Sequence, residues 1–323
     1  MAKAKYLDEK GRPFRDWLLT HSHLFGSLGT VFSPVANFFL KSRAVRGLLD
    51  SLLKIDRRRS LPGYEAMSFR QWFKKYRREK GVLSGSRGRI AYFYGCYTNT
   101  NEPDVGKATV RVLEACGLEV WLPPQKCCGI PMLGNGDFGE ARKLGLWNVP
   151  SLLRAVRSGS DLLFSSTSCG HMIKHEYSRL LSIPGAEEVA HHTFDLFEFL
   201  RNRIGTDPLP VKFKELPLKA AYFAPCHLKS LGIGYPALDL LRLIPGVRVD
   251  YVDADCCGLG GTYGFKKEKY DISQEIGKDL AEAVARLKPE LVLTDCEGCR
   301  LQIRHLTGLK VLHPVQVVRD ALA

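Results

Sequence analysis

Nine of the ten cysteines in this 323-residue chain fall into two copies of one order. The first copy runs Cys96, the adjacent pair Cys127–Cys128, then Cys169; the second runs Cys226, the pair Cys256–Cys257, then Cys296 and Cys299. Cys226 follows Cys96 by 130 residues, Cys256 follows Cys127 by 129 and Cys296 follows Cys169 by 127. Self-similarity at so nearly constant an offset marks tandem units. Thiolates bind soft metals, chiefly zinc and iron–sulfur clusters. A structural zinc site takes four ligands in a tetrahedron, usually from two short pairs. The second copy has five cysteines and a single CxxC, Cys296–Cys299. The side chains of adjacent cysteines diverge, so such a pair suits a polynuclear site in which each thiolate reaches a different iron. Gly129 and Gly258, directly after the pairs, let backbone approach and leave N–H groups for the sulfurs, which tunes a cluster's potential.

The elements that must carry these residues read alike in both copies. In the first, strand 89–96 ends in Cys96, a helix spans about 104–116, strand 118–124 precedes Cys127–Cys128, and a helix near 138–156 leads to strand 161–169. In the second, strand 219–226 ends in Cys226, a helix spans 235–244, strand 247–253 precedes Cys256–Cys257, and a helix at 268–287 leads to strand 291–296. Strands alternating with helices imply a parallel sheet in each copy. All nine repeated cysteines then lie at C-terminal strand ends, where open α/β sheets collect ligands. Cys116, without a counterpart, reads as a small core residue.

Residues 1–90 hold no cysteine and carry 20 Lys and Arg against 7 Asp and Glu; residues 91–323 carry 27 of each. The whole net charge of +13 therefore lies in the N-terminal segment, ahead of a neutral body. No apolar leader opens the chain, and clustered cysteines without one point to a reducing compartment. Trp17–Leu40 is free of Asp, Glu, Lys and Arg, but its His21, His23, Gly26, Gly29, Pro34 and Asn37 argue against a membrane span. Val45, Leu48, Leu49 and Leu52 form one apolar helix face, with Arg43, Arg46, Lys54 and Arg57 to Arg59 around it. Such a helix lies on an anionic membrane or docks on a partner, or packs on the body as an ordinary surface helix. RQWFKKYRREK, 70–80, interleaves aromatic and basic residues without a nucleic-acid recognition fold. GVLSGSRG, 81–88, reads as a linker.

The two cysteine copies resemble the CCG domains of heterodisulfide reductase B-type subunits and related iron–sulfur subunits, whose pattern is Cys, about thirty residues, Cys-Cys-Gly, under forty residues, then CxxC. The resemblance implies a noncubane [4Fe-4S] cluster held by Cys226, Cys256, Cys257, Cys296 and Cys299. The first copy departs from it: Met172 stands where the last cysteine belongs. Cys96, Cys127, Cys128 and Cys169 would hold a second cluster or zinc, with His171 a possible assistant. Across essentially the whole chain, WLLTHSHLFGSLGTVFSPVANFF, LLKIDRRRSLP, FRQWF, CCGLGGTYGFKKEKYDISQEIG and TDCEGCRLQI resemble the C-subunit family of anaerobic glycerol-3-phosphate dehydrogenases. Members of that family usually begin with a ferredoxin-like domain, and this chain starts where that domain would end.

These readings give an α/β chain with a basic helical docking segment (1–88), a first CCG domain (89–206) and a second (207–323). The expected role is an electron-transfer subunit of a flavin-dependent dehydrogenase, peripheral on the inner face of the cytoplasmic membrane. It would work with an FAD-containing subunit, a ferredoxin-like iron–sulfur protein, quinone and the membrane surface, and not with nucleic acid. A thiol–disulfide oxidoreductase acting at the C-terminal cluster and a zinc-stabilised binding module are the alternatives. His227, beside Cys226, is a candidate proton donor; Lys266 and Lys267, closing the glycine loop, are candidate cations for a reduced cluster or semiquinone.

Overall fold

The computed structural model describes residues 2–81, 87–206 and 211–323; most of the expected linker 81–88 lies outside them. Two four-stranded sheets, all parallel, carry the cysteines. The first consists of β1 (Arg89–Phe93), β2 (Glu119–Trp121), β3 (Asp161–Phe164) and β4 (Thr193–Asp195), in the order β2-β1-β3-β4. The second consists of β5 (Leu218–Tyr222), β6 (Val247–Tyr251), β7 (Leu291–Leu293) and β8 (Val311–Leu312), in the order β6-β5-β7-β8. The same order recurs with the same register: Ala91 pairs with Trp121 and Leu162, and Ala221 with Asp250 and Val292. The chain is an α/β protein of two tandem repeats, as its cysteine spacing implies.

Successive strand residues face opposite sides of a sheet, and the two sides differ. Tyr92 and Leu163 of the first sheet share one core with Tyr222 and Leu293 of the second. Helices Pro103–Ala115 and Pro314–Asp320 close that core, tied by Gln316 and Arg319 to Asp104, each at 2.7 Å. The opposite faces are separate. Ala91, Phe93 and Leu162 pack with Cys127, Cys128 and Cys169; Ala221, Phe223 and Val292 pack with Cys257, Cys296 and Cys299. Cys116 is buried in the shared core, where burial pushes its thiol up to about 12.

The strands are shorter than expected, and the cysteines lie beyond them. Gly95, at φ +73°, turns β1 directly into helix Gly95–Thr100, so Cys96 sits in a helix start. Cys169 falls in helix Thr167–His171, Cys226 opens helix Cys226–Leu231, and Cys296 precedes helix Glu297–Thr307, whose first turn holds Cys299. Helix N-termini favour negative charge and thiolates. The edge strands β4 and β8 were not expected; they are three and two residues long.

The N-terminal segment is helical: Ala2–Lys10, Phe14–Thr20, Ser22–Val31, Ser33–Lys41, Arg43–Leu53 and Phe69–Lys80. The uncharged run is thus broken into short helices, and among the described residues no helix is long and apolar enough to cross a membrane. The aromatics of 70–80 face inward. A capping box of Ser68 and Gln71 starts their helix, and Phe69, fully buried against Tyr92 and Tyr94, contributes roughly 1.5–3 kcal/mol.

Candidate metal centres

In the first repeat, Cys96, Cys127, Cys128 and Cys169 line one pocket, with Cys96 Sγ 3.8 Å from Cys127 Sγ. The Cys127–Cys128 loop is clamped from behind. Asn148 donates to the Cys127 carbonyl at 3.0 Å and accepts from the Lys126 N–H at 2.8 Å, and the Tyr177 hydroxyl donates to the Cys128 carbonyl at 2.8 Å. Asn148 and Tyr177 sit on helices 138–157 and 177–179, and neither carries a motif signal. Met172, where the repeat pattern would place a cysteine, is fully buried in the core beside the cysteines. A single turn of π-helix, Met172–Glu176, begins there; such turns often mark functional sites.

In the second repeat, Cys299 Sγ lies 3.2 Å from Cys257 Sγ, and the Gly258 N–H donates to Cys256 Sγ at 3.3 Å. Gly258 has φ +85°, and a Cβ there would stand 2.2 Å from the Ser273 carbonyl oxygen. The glycine lets this loop press against helix Tyr270–Leu287. Cys226 is exposed and Cys256 half-buried, whereas Cys257, Cys296 and Cys299 are buried. The second centre therefore opens to solvent on the side of Cys226.

In each site one sulfur is favoured as thiolate over its neighbours. Cys127 is held well below the ordinary thiol value by hydrogen bonds from Cys128 and Cys96, and Cys257 by those from Cys256 and Cys299. The donor thiols are pushed up in turn, Cys96 by its bond to Cys127 and Cys299 by its bond to Cys257. All ten cysteines are free thiols. Among the described residues no three His, Cys, Asp or Glu converge on a point that would hold a single metal ion. Paired, unbridged sulfurs at helix starts, with an N–H aimed at one of them, fit a cluster of several irons better than mononuclear zinc.

Two buried arginines lie close enough to bear on the second-site thiols. Arg59 is wholly buried and donates to the Gly264 carbonyl at 2.8 Å, to Ser273 Oγ at 3.1 Å and to Gln302 Oε1. Burial lowers its pKa, partly offset by Tyr270, Asp56 and Cys257. Arg300 pairs with Glu102 at 2.7 Å; burial opposes its charge, and Glu102 and Glu297 outweigh burial, so its pKa is raised. The expected cations are placed differently. Lys266 Nζ meets Asp16 at 2.7 Å and Lys267 Nζ meets Asp50, so both ammonium groups hold the N-terminal segment against the loop after Cys256–Cys257. Of the expected basic surround, Arg59 is interior, Arg46 bonds the Arg59 carbonyl within the N-terminal segment, and Arg58, half exposed, pairs with Asp56 and Asp271.

The two sites meet. Tyr92 bonds Ser165 at 2.6 Å as Tyr222 bonds Asp295 at 2.7 Å, each pair 73 residues apart. Asp295 immediately precedes Cys296, but Ser166, Thr167 and Ser168 intervene between Ser165 and Cys169. Two of those three extra residues, Ser166 and Ser168, reach across to the second repeat. Ser166 Oγ donates to Glu297 at 2.9 Å, and Ser168 Oγ lies 3.7 Å from Cys296 Sγ and 3.1 Å from His227 Nδ1. His227 stacks on His171 at 5.0 Å, and burial, with His171 beside it, pushes its pKa down to about 4. His171 bonds Ser230 through Nδ1 at 3.0 Å and Glu176 through Nε2 at 3.1 Å. With both ring nitrogens engaged, it does not assist the first cysteine set.

A model of the family described as "Cysteine-rich domain" (CCG) matches residues 90–174 and again 220–304. The chain is 38% identical over 324 residues to the C subunit of the anaerobic glycerol-3-phosphate dehydrogenase of Escherichia coli, covering 100% of this chain and 80% of that one. It is 32% identical to the B subunit of the fumarate reductase (CoM/CoB) of Methanothermobacter marburgensis, covering 71% of this chain and 44% of that one. It is 29% identical to lactate utilization protein A of Oceanobacillus iheyensis, covering 71% and 96%. With both repeats matched and its full length aligned, the chain belongs to the CCG cysteine-rich family, and within it to the family of the anaerobic glycerol-3-phosphate dehydrogenase C subunits.

Proposed function

We propose that this chain is an iron–sulfur electron-transfer subunit of a flavin-dependent dehydrogenase of the glycerol-3-phosphate type, delivering electrons toward membrane quinone. The observation that carries the reading is the contact between the two cysteine sites: Cys296 Sγ is 3.7 Å from Ser168 Oγ, the neighbour of Cys169. Two centres that abut in this way form a relay. Cys226, Cys256, Cys257, Cys296 and Cys299 would hold a noncubane [4Fe-4S] cluster, and Cys96, Cys127, Cys128 and Cys169 a second cluster. Bound there, such clusters supply one-electron steps. The chain's own residues exclude water at the first centre, where Cys127, Cys128 and Cys169 are at most 5% exposed, and offset anionic charge at the second through Arg59 and Arg300. An FAD-containing subunit and a ferredoxin-like protein would stand on the donor side. The basic N-terminal segment would rest on the inner face of the cytoplasmic membrane: Leu28, Val31, Phe32, Val35, Phe38 and Leu52 are all more than half exposed.

The test is iron and acid-labile sulfide per anaerobically purified chain, with EPR before and after addition of a quinone analogue. Roughly four or eight irons per chain, with a reduced signal that the quinone oxidises, support the relay. Stoichiometric zinc without sulfide would remove it. A second reading, a heterodisulfide reductase-like thiol–disulfide oxidoreductase, draws on the exposure of Cys226, which leaves the second centre open to a substrate sulfur; turnover of a disulfide by the isolated chain would favour it.

A further inference from the structure

Met172 leaves the first repeat one thiolate short, and the structure brings another ligating side chain to the same place. The pocket formed by Cys96, Cys127, Cys128 and Cys169 is also lined by Glu297. That residue belongs to the second repeat, between Cys296 and Cys299. Its carboxylate is held there: Ser166 Oγ donates to both oxygens, at 3.1 and 2.9 Å, and itself accepts from the Cys169 N–H at 3.4 Å. Ser166 is one of the three residues by which the first repeat exceeds the second before its cysteine. Met172 packs in the core and offers only a neutral thioether, which brings no negative charge to the irons.

Resting on the reading of the first repeat as a cluster site, we propose that the Glu297 carboxylate is its fifth protein ligand, supplied by the second repeat. Hard oxygen ligation in place of thiolate distinguishes this centre chemically from the all-thiolate second one. It also makes the Cys296–Cys299 segment common to both, so that the first centre is complete only when the two repeats are docked.

The test uses the full chain, reconstituted anaerobically. Cys169→Ser identifies the EPR and Mössbauer features of the first centre and Cys256→Ser those of the second. Glu297→Gln is expected to remove or shift the first-centre features and to lower iron by up to about two-fold, with second-centre features near wild type. Glu297→Cys is expected to restore the iron with shifted g-values, and it carries the test if the glutamine variant does not fold. Unchanged first-centre spectra and iron in both variants would overturn the assignment. So would a wild-type chain in which Cys169→Ser removes no signal; second-centre signals that persist there leave the electron-transfer reading standing, whereas their absence as well sinks both.

Discussion

Lys266 Nζ lies 2.7 Å from Asp16 Oδ2, with each side chain only 10% exposed. The pair joins the basic N-terminal segment to the loop that follows Cys256–Cys257, and Arg15–Glu268 at 2.9 Å and Lys267–Asp50 flank it. Removing one partner of a buried pair strands the other charge, which costs about 3–5 kcal/mol, whereas replacing both by apolar groups is often neutral. Asp16→Leu and Lys266→Met are therefore each expected to lower stability by roughly 3 kcal/mol, and the double variant to recover most of it. Urea unfolding of the four proteins of the cycle checks this; equal losses in the single and double variants would show that the pair contributes nothing specific.

The same pair sets a pH dependence. Burial raises the Asp16 carboxyl, and the bonds from Lys266 and Arg15 outweigh burial, so its pKa is lowered. A carboxyl lowered on folding stabilises fully above its unfolded value of about 4 and loses that contribution as pH falls through the folded value. The urea midpoint should thus be unaffected by this group down to about pH 4 and fall below it. In Asp16→Asn the acid limb should be shallower by up to one proton. An acid limb identical to wild type would exclude the assignment.

Arg59 holds the N-terminal segment from beneath. Its fully buried guanidinium reaches helix Tyr270–Leu287 through Ser273, helix Glu297–Thr307 through Gln302, and the glycine loop through the Gly264 carbonyl. A lysine ammonium is a point charge and cannot match that planar fork. Arg59→Lys is expected to destabilise by about 2–4 kcal/mol and to expose the segment 57–63 to limited proteolysis. Proteolysis at the wild-type rate would show that the segment is held by other contacts.

The cysteine framework was legible because its signal is compositional: nine thiols, each just past an apolar run, locate six of the eight strands and both sites. Edge strands Thr193–Asp195 and Val311–Leu312 escaped because two or three residues cannot show a period of two. The bridge between the sites escaped for another reason. Ser166 and Glu297 are 131 residues apart, and neither residue type in isolation marks a site. The three-residue excess before Cys169 emerges only once Ser165 and Asp295 are matched in the structure. Lys266 and Lys267 read as cations for a reduced cluster or semiquinone, and Arg59 as part of a basic helix surround, because a sequence shows charge but not its partner. Asp16 and Asp50 lie more than 200 residues from the lysines they neutralise.

The apolar N-terminal surface predicts a lipid response. Phe38 and Leu52 are each 71% exposed, on helices Ser33–Lys41 and Arg43–Leu53 that also carry Lys41 and Arg43. Burying such a side chain gains roughly 1.5–3 kcal/mol, and each basic residue near an anionic surface about 1 kcal/mol. Phe38→Ser with Leu52→Ser should weaken co-sedimentation with phosphatidylserine-containing vesicles by at least about tenfold, while leaving the melting temperature unchanged. Raising salt should weaken wild-type binding further. Vesicle binding unaffected by the double variant would point the patch toward a protein partner.

Gly258 couples backbone strain to the second centre. At φ +85° a side chain costs energy in any surroundings, and here the added Cβ would also collide with the Ser273 carbonyl at 2.2 Å and with Gly277 N at 2.8 Å. Both contacts are backbone, so neither can rotate away. The loop would have to lift from helix Tyr270–Leu287, drawing the Gly258 N–H away from Cys256 Sγ and moving Cys257 from Cys299. Gly258→Ala is therefore expected to destabilise by about 2–4 kcal/mol and to reduce iron retained by the second centre, leaving first-centre iron in place. Gly129 offers the internal control: at φ +89° its added Cβ would meet Ala141 only at 3.2 Å, so Gly129→Ala should cost less. Iron per chain and urea midpoints of the two variants decide the point, and equal losses would mean that the left-handed conformation alone, not the helix contact, makes these glycines necessary.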